Sequence, residues 1–319
     1  MKIDFDPQKN VKKFDYFLVQ FSRIPDFWVI YNIVKNWPDV LLFRLGLKKQ
    51  FTMMLRNGLK AEINKLQDYF DFWDAEQGQR ALFKQAGLDK RIKVDKNKRA
   101  IKFEFAHKEI FFVFDSHKQF FNTSLLIKEQ FIKRQYNWLN VKDKDVIDIG
   151  ANIGDTAIYF ALKGAKHVYA FEPYPYSYKI ALKNIKLNKL DDKITLLNEG
   201  CSGKESSIQI DPSYKNMGGT DLKTFSKGKR IKVTTLESII KRFNIKHTAI
   251  LKIDCEGCEY NVLLEAQDSD LRKFKQIQLE YHYGYLNLKK KLEKAGFRVA
   301  RTIPNQYLGL IYATRKDMY

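Results

Sequence analysis

Cysteine is scarce in this chain. Three in 319 residues cannot build a disulfide framework, and an odd count suits thiols kept reduced in a cytosol. Long apolar runs are missing too. The stretch Phe14 to Leu47 is broken by Asp15, Arg23, Asp26, Lys35, Asp39 and Arg44, whereas a spanning helix needs roughly 20 consecutive apolar residues, so no transmembrane segment is expected. Met1 to Asn10 carries Lys2, Asp4, Asp6 and Lys9 and lacks the apolar core of a signal peptide. Glycine and proline, at 16 and 7, are too few for a collagen-like rod or a disordered tail. These absences predict a cytoplasmic protein.

Apolar residues make up 45% of the chain and charged residues 29%, enough for a proper core, and at ~100 to 200 residues per domain the length suggests one large domain or, by preference, two. Lys and Arg number 57 against 37 Asp and Glu, a net charge of +20. Such a field attracts polyanions: nucleic acid, the head groups of an anionic membrane surface, or acidic and phosphate-bearing substrates. The basic residues are spread along the chain, so solubility is the plainer reading of them.

The first part reads as mixed α and β. Phe14 to Gly46 is helical and aromatic-rich, broken by Pro25 and Pro38, each followed by an acid suited to a first helical turn. Asn57-Gly58 between Phe51–Arg56 and Leu59–Ile63 signals a hairpin, and alternation at Ile101, Phe103 and Phe105, then from Ile110 to Phe114, signals another β pair. An amphipathic helix is expected over Leu125–Leu139. From Val146 the pattern changes. Strands at 146–149, 167–171, 194–198, 250–253 and 276–281 alternate with helices at 156–163, 176–188, 259–265 and 288–295, the signature of a parallel sheet wound on both faces. Phe297–Thr302 and Leu308–Ala313 follow with no helix between them, so they should pair antiparallel.

The sharpest motif is Asp148-Ile149-Gly150-Ala151-Asn152-Ile153-Gly154-Asp155-Thr156, between an apolar strand and a helix. In a doubly wound sheet this turn lies at the carboxyl edge, where ligands bind and glycines admit close backbone approach. Its spacing is neither G-x-G-x-x-G nor a P-loop. With no pyrophosphate to cradle, Asp148 and the turn amides suit the ammonium and carboxylate of an amino-acid moiety. Glu172, 24 positions past Asp148 at the end of the next strand, can accept hydrogen bonds from ribose hydroxyls.

VIDIGANIGDT (146–156), YAFEP (169–173), NIKLN (184–188), Thr235-Leu236 and LKIDCEGCE (251–259) together resemble the FkbM-type S-adenosylmethionine-dependent methyltransferase family, and LRNGLKAEI (55–63) is similar to that family's upstream hairpin. The resemblance implies an α/β fold: a class I methyltransferase (Rossmann-like) doubly wound sheet ending in an antiparallel β-hairpin, over residues 125–319. Residues 1–124 would be an N-terminal α+β region, accessory or acceptor-binding. The cofactor would be S-adenosyl-L-methionine. Asp148, Gly150, Asn152 and Gly154 would hold its methionine part, Glu172 its ribose, and Asn198 and Cys201 would border its adenine, with Cys201 as a small apolar wall.

The fourth strand ends in Asp254-Cys255-Glu256-Gly257-Cys258-Glu259 and the fifth in Glu280-Tyr281-His282-Tyr283-Gly284, both opening beside the transferred methyl. A hydroxyl acceptor profits from a base there, and Asp254, Glu256 and His282 are the catalytic candidates. Glu259, in a first helical turn, is favoured by the helix dipole alone. The same carboxylates with His282 could hold a divalent cation, but no metal is assigned. Cys255 and Cys258 have only Cys201 beside them, which excludes a four-cysteine zinc site, and no thioredoxin-like context supports a redox pair. Ordinary packing is expected of them. The polar insertion between Ser206 and Val233 has flanks that look like a hairpin and a Gly218-Gly219 loop that could close over a site. The expected reaction is O-methylation of a hydroxyl or carboxyl on a sugar, glycan or other small molecule. A nucleic-acid acceptor is the alternative, and a non-catalytic cofactor-binding protein is a further one.

Overall fold

The computed structural model describes residues 31, 34–44, 47–56, 58, 60–65, 68, 92–95, 97–115, 117–214, 225, 227–302 and 308–318. They divide into two compact units after residue 128. In the first, helix α1 (Trp37–Arg44) packs on the hairpin β1 (Phe51–Met54) and β2 (Lys60–Ile63), whose register pairs Phe51 with Ile63. Val34, Val40, Phe51, Met53, Leu55 and Ile63 form its core. Then β3 (Ile92–Asp95), β4 (Ala100–Phe105) and β5 (Lys108–Val113) make a three-stranded antiparallel sheet, one strand more than the alternation signalled. Ala106 and His107, both at positive φ, turn the chain between β4 and β5, as a two-residue type I′ link requires. Most of the aromatic-rich stretch from Phe14 to Gly46, and the Gly218-Gly219 loop, lie outside the described residues.

Helix α2 (His117–Ile127) runs directly into a π-helix, Lys128–Ile132. A single helix over 125–139 was expected, yet from residue 133 the chain leaves helical geometry. The reason is tertiary. The Gln276 side chain accepts from the Asn140 amide (2.8 Å) and Gln278 donates to the Gln135 carbonyl (3.0 Å), so two polar side chains on one strand hold residues 135–140 by their backbone.

The second unit is built on seven strands: β6 (Asp145–Ile149), β7 (His167–Phe171), β8 (Ile194–Leu197), β12 (Ala249–Ile253), β13 (Phe274–Tyr281), β14 (Phe297–Arg301) and β15 (Gly309–Arg315), in spatial order β14-β15-β13-β12-β6-β7-β8. The run from β13 to β8 is parallel, and β15 inserts antiparallel between β13 and β14. This is the class I methyltransferase arrangement that the family resemblance implied. Helices α3 (Asp155–Leu162), α4 (Pro175–Leu187), α6 (Cys258–Glu265) and α8 (Leu286–Lys294) follow strands of this sheet, and α7 is a single turn, Asp268–Leu271. A side sheet of β9 (Gly200–Cys201), β10 (Ser206–Ile210) and β11 (Lys229–Thr234) carries the expected hairpin. It leads into α5 (Leu236–Arg242), which Thr235 caps by accepting from the Ser238 amide.

Burial follows the winding. All five residues of β12 are buried, as both faces of a central parallel strand must be. One of them is Lys252. Register sets Asp148, Lys252 and Gln278 abreast on β6, β12 and β13, a polar row across an otherwise apolar sheet. No helix among the described residues is long and apolar enough to cross a membrane.

The Gly turn after β6 is pinned from α4. Asn184, fully buried, donates to the Ile153 carbonyl at 2.8 Å. Asn184→Ala strands that carbonyl in the interior and should lower unfolding free energy by ~1 to 3 kcal/mol, read from urea denaturation. An unchanged midpoint would show that the turn holds without this bond.

Candidate active site

The turn after β6 is a self-satisfied backbone unit. Gly150 and Ala151 both donate their amides to the Phe171 carbonyl at 3.0 Å, and Gly154 donates to Ala151 at 2.7 Å. Gly150 sits at φ 84°, and a Cβ there would overlap the Asp254 carbonyl oxygen. Glycine is therefore required where the loop after β6 touches the loop after β12. Asn152 takes the left-handed region as well (φ 46°), a conformation asparagine tolerates better than most residues.

Asp148, expected to hold the methionine part, has partners within the chain. It is fully buried; one oxygen accepts from Thr156 Oγ1 at 2.6 Å and the other pairs with Lys252 Nζ at 2.9 Å. Its carboxylate builds the turn, and so does Lys252, which also donates to the Gly150 carbonyl at 2.7 Å. Burial pulls the Lys252 pKa down, but Asp148, Asp254 and Asp155 outweigh it and hold the ammonium above its ordinary value. Asp155, likewise buried, is pushed up to about 7 mainly by desolvation.

Glu172 stands just past β7 with one oxygen accepting from the Asn152 amide (2.9 Å) and the other from Tyr174 (2.8 Å). Both donors are neutral, so desolvation dominates and pushes its pKa to about 8. A carboxyl group so placed suits hydroxyl donors, and a ribose diol offers two. Asn198, after β8, donates to the carbonyls of Glu172 and Pro173 at 2.9 and 3.0 Å and accepts from Lys229. Cys201 is buried in β9, and desolvation raises its thiol far above the usual range. It is a packing residue.

The reaction-side candidates come together. His282 is 3% exposed, its Nδ1 2.8 Å from Glu259 and its Nε2 3.3 Å from Glu256. Burial opposes its charge, yet the Glu259 carboxylate, with Glu256 and Glu280, holds its pKa well above the ordinary value. The arrangement suits a charged ring, with Nδ1 hydrogen-bonded to Glu259 and Nε2 facing Glu256. Asp254 accepts from the Tyr136 hydroxyl at 3.0 Å. Tyr260, on α6, accepts from the Tyr283 amide and donates to the Gly284 carbonyl, tying the loop after β13 to that helix. Among the described residues, Asp254, Glu280 and His282 could offer a metal ion one donor each, with the donor atoms within 4.8 Å of one another. Both ring nitrogens of His282 are taken by carboxylates, which works against that use.

Sequence reasoning missed four participants. Glu280 lies on β13 two residues before His282; burial and then Asp254 push it up to about 8, with Glu256 adding against the pull of His282. Tyr136 and Lys252 were not singled out, although a lysine inside Ile250-Leu251-Lys252-Ile253 was a signal. Glu259 was credited to the helix dipole; fully buried, it binds both His282 and the Gly257 amide. The cysteine expectation is overturned as well. Cys255 and Cys258 form a disulfide instead of packing as free thiols, because Glu256 and Gly257 at positive φ fold the turn until the cysteine Cα atoms are 5.5 Å apart, inside the range a disulfide spans.

A family model described as methyltransferase FkbM domain matches residues 148–299. Among curated proteins, the chain is 44% identical over 68 residues to the ribosomal protein L11 methyltransferase of Carboxydothermus hydrogenoformans, covering 21% of this chain and 22% of that one. It is 33% identical over 147 residues to an uncharacterized protein of Sulfolobus islandicus rod-shaped virus 1, covering 46% and 66%. The chain thus spans less than two thirds of the length of the curated relatives it matches. Of solved structures, the ribosomal protein L11 methylase of Lactobacillus delbrueckii subsp. bulgaricus aligns at 19% identity over 63% of this chain and 81% of that one, with a TM-score of 0.34.

Two measurements test these electrostatics. Lys252→Met leaves Asp148 buried and unpaired and should cost ~3 to 5 kcal/mol of stability by chemical denaturation; a loss below 1 kcal/mol would deny the pair its structural part. Glu172 has a folded pKa of about 8 against an ordinary 4.5, so its contribution is fully present below about 4.5 and lost as pH rises to about 8. Glu172→Gln should therefore narrow the fall in melting temperature of the ligand-free protein between those two pH values. An identical fall in both proteins refutes the assignment.

Proposed function

Since residues 148–299 are an FkbM-type methyltransferase domain, we propose that this chain transfers a methyl group from S-adenosylmethionine to an oxygen of a sugar, glycan or other small molecule. The observation that carries the choice of oxygen is the crowd of carboxyl groups, Asp254, Glu256 and Glu280, at the ends of β12 and β13, joined to the cofactor turn where Gly150 meets Asp254. A hydroxyl becomes a better nucleophile as its proton leaves, and a carboxylate within reach takes that proton.

Bound S-adenosylmethionine would supply a methyl group on a sulfonium, whose leaving group is already good. The chain's work is then to bind, align and exclude water. Glu172 accepts from the ribose hydroxyls, Asn198 and Cys201 border the adenine, and Gly150, Asn152 and Gly154 keep the turn open for the methionine part while Asp148 and Lys252 brace it from beneath. Asp254 and Glu256 are the proton acceptors. His282, set between Glu259 and Glu256, positions Glu256 and does not itself act as the base. Residues 1–124 help choose the acceptor, and the protein works in the cytoplasm. A second reading, methylation of RNA, draws on the net charge of +20.

S-adenosylhomocysteine should raise the melting temperature of the isolated protein. Glu172→Ala should weaken its binding by ~0.5 to 1.5 kcal/mol per lost hydrogen bond; calorimetry returning the wild-type affinity would void the ribose role. Asp254→Asn and Glu256→Gln should lower turnover ~10²- to 10⁴-fold with cofactor affinity kept, and a chelator should change nothing. Labelled cofactor offered to separate pools of RNA, lipid-linked glycan and polar metabolites decides the acceptor. Label in RNA alone refutes the small-molecule reading.

A further inference from the structure

The Cys255–Cys258 disulfide belongs to none of the roles above. It closes over two residues at positive φ, Glu256 at 57° and Gly257 at 116°. Glycine takes such a conformation freely, whereas a glutamate holds it only when its surroundings impose it. The residue under constraint is the one whose carboxylate faces His282 Nε2, and the residue after Cys258 is Glu259, which faces Nδ1. Glu259 Oε2 also lies 3.5 Å from the Cys255 sulfur. One short crosslink therefore spans the turn that presents both carboxylates to the imidazole. Cys255 is half-buried, while Cys258, first residue of α6, is buried. That places an approachable sulfur first and a shielded one at a helix N-terminus, where the dipole favours a thiolate. The third cysteine, Cys201, is buried in β9 and takes no part.

We propose that Cys255 and Cys258 are a reversible thiol–disulfide exchange site for small dithiols, and that their crosslinked state holds Glu256 and Glu259 in place on His282. The exchange is balanced. One thiolate of the dithiol attacks Cys255 Sγ, the Cys255–Cys258 bond breaks, and Cys258 departs as a thiolate. The second thiol of the reductant then attacks its own sulfur in the mixed disulfide and releases Cys255. Two electrons and two protons pass to the protein, and the reductant leaves as a cyclic disulfide. With the crosslink open, nothing covalent keeps Glu256 at positive φ, and its carboxylate can turn away from His282. A misplacement of this kind near a reaction centre slows turnover without abolishing cofactor binding. The link to turnover rests on the reading of Asp254, Glu256 and His282 as the reaction side; the exchange itself does not.

The test uses the full-length chain equilibrated in mixtures of reduced and oxidised dithiothreitol, alkylated, and weighed by mass spectrometry. Two thiols should become alkylated together, with Cys201 reacting only after unfolding, and Cys255→Ser should remove the paired step. In matched samples, the ring resonances of His282 by NMR should shift between the two states, and turnover should fall about tenfold on reduction in step with the alkylation curve. The Cys255→Ser/Cys258→Ser protein should show the reduced value under all conditions. Failure of oxidised dithiothreitol to close the pair overturns the proposal, as does a pair that closes and opens while the His282 resonances stay fixed. If neither state methylates any acceptor pool, the functional reading fails, and alkylation and the His282 resonances still decide this one.

Discussion

A lysine buried in the middle of a parallel sheet must be answered by carboxylates, and much of the geometry of this domain follows from how Lys252 is answered. Leaving either charge alone in the interior is far costlier than the modest gain from pairing them, so the strands that carry them are locked into one register. Asp148 on β6 and Lys252 on β12 are neighbours across the sheet, and the ammonium then reaches forward to the Gly150 carbonyl. A buried ion pair is weak evidence for stability, but here it fixes where the turn after β6 begins. The acid that opens the DIGANIGDT motif serves the fold first.

The two ends of the site use burial differently. At Glu172 a carboxyl group is desolvated among neutral backbone donors, which leaves it poised for further hydrogen bonds. At His282 a cation is buried among acids, and its charge is secured from both sides. Burial pushes Glu280 up to about 8 and the surrounding carboxylates hold His282 well above its ordinary value, so the reaction side is less negative near neutrality than its count of acidic residues suggests. An anionic acceptor would meet less repulsion there than the sequence implies.

What could be read beforehand was whatever repeats locally. The strands at 146–149, 167–171 and 276–281 and the antiparallel end of the sheet show in periodicity and turn residues alone, and the glycines of the β6 turn show in spacing. What could not be read depends on which strands lie side by side. Lys252 looks like a misfit in an apolar strand until β6 is beside it. The helix expected over 125–139 fails because Gln276 and Gln278, more than a hundred residues away, capture its second half. Glu280 stood in the sequence two residues before His282, but its part became visible only once β12 brought Asp254 beside it. The disulfide was hidden because what brings Cys255 and Cys258 together is the positive φ of Glu256 and Gly257, which composition and spacing do not show.

The missing side chain at position 150 has a consequence for anyone redesigning this protein. Because the Asp254 carbonyl occupies the space a Cβ would need, the loop after β6 and the loop after β12 share one surface and cannot be altered separately. Re-engineering acceptor choice by changing residues 254–258 would therefore be felt on the cofactor side.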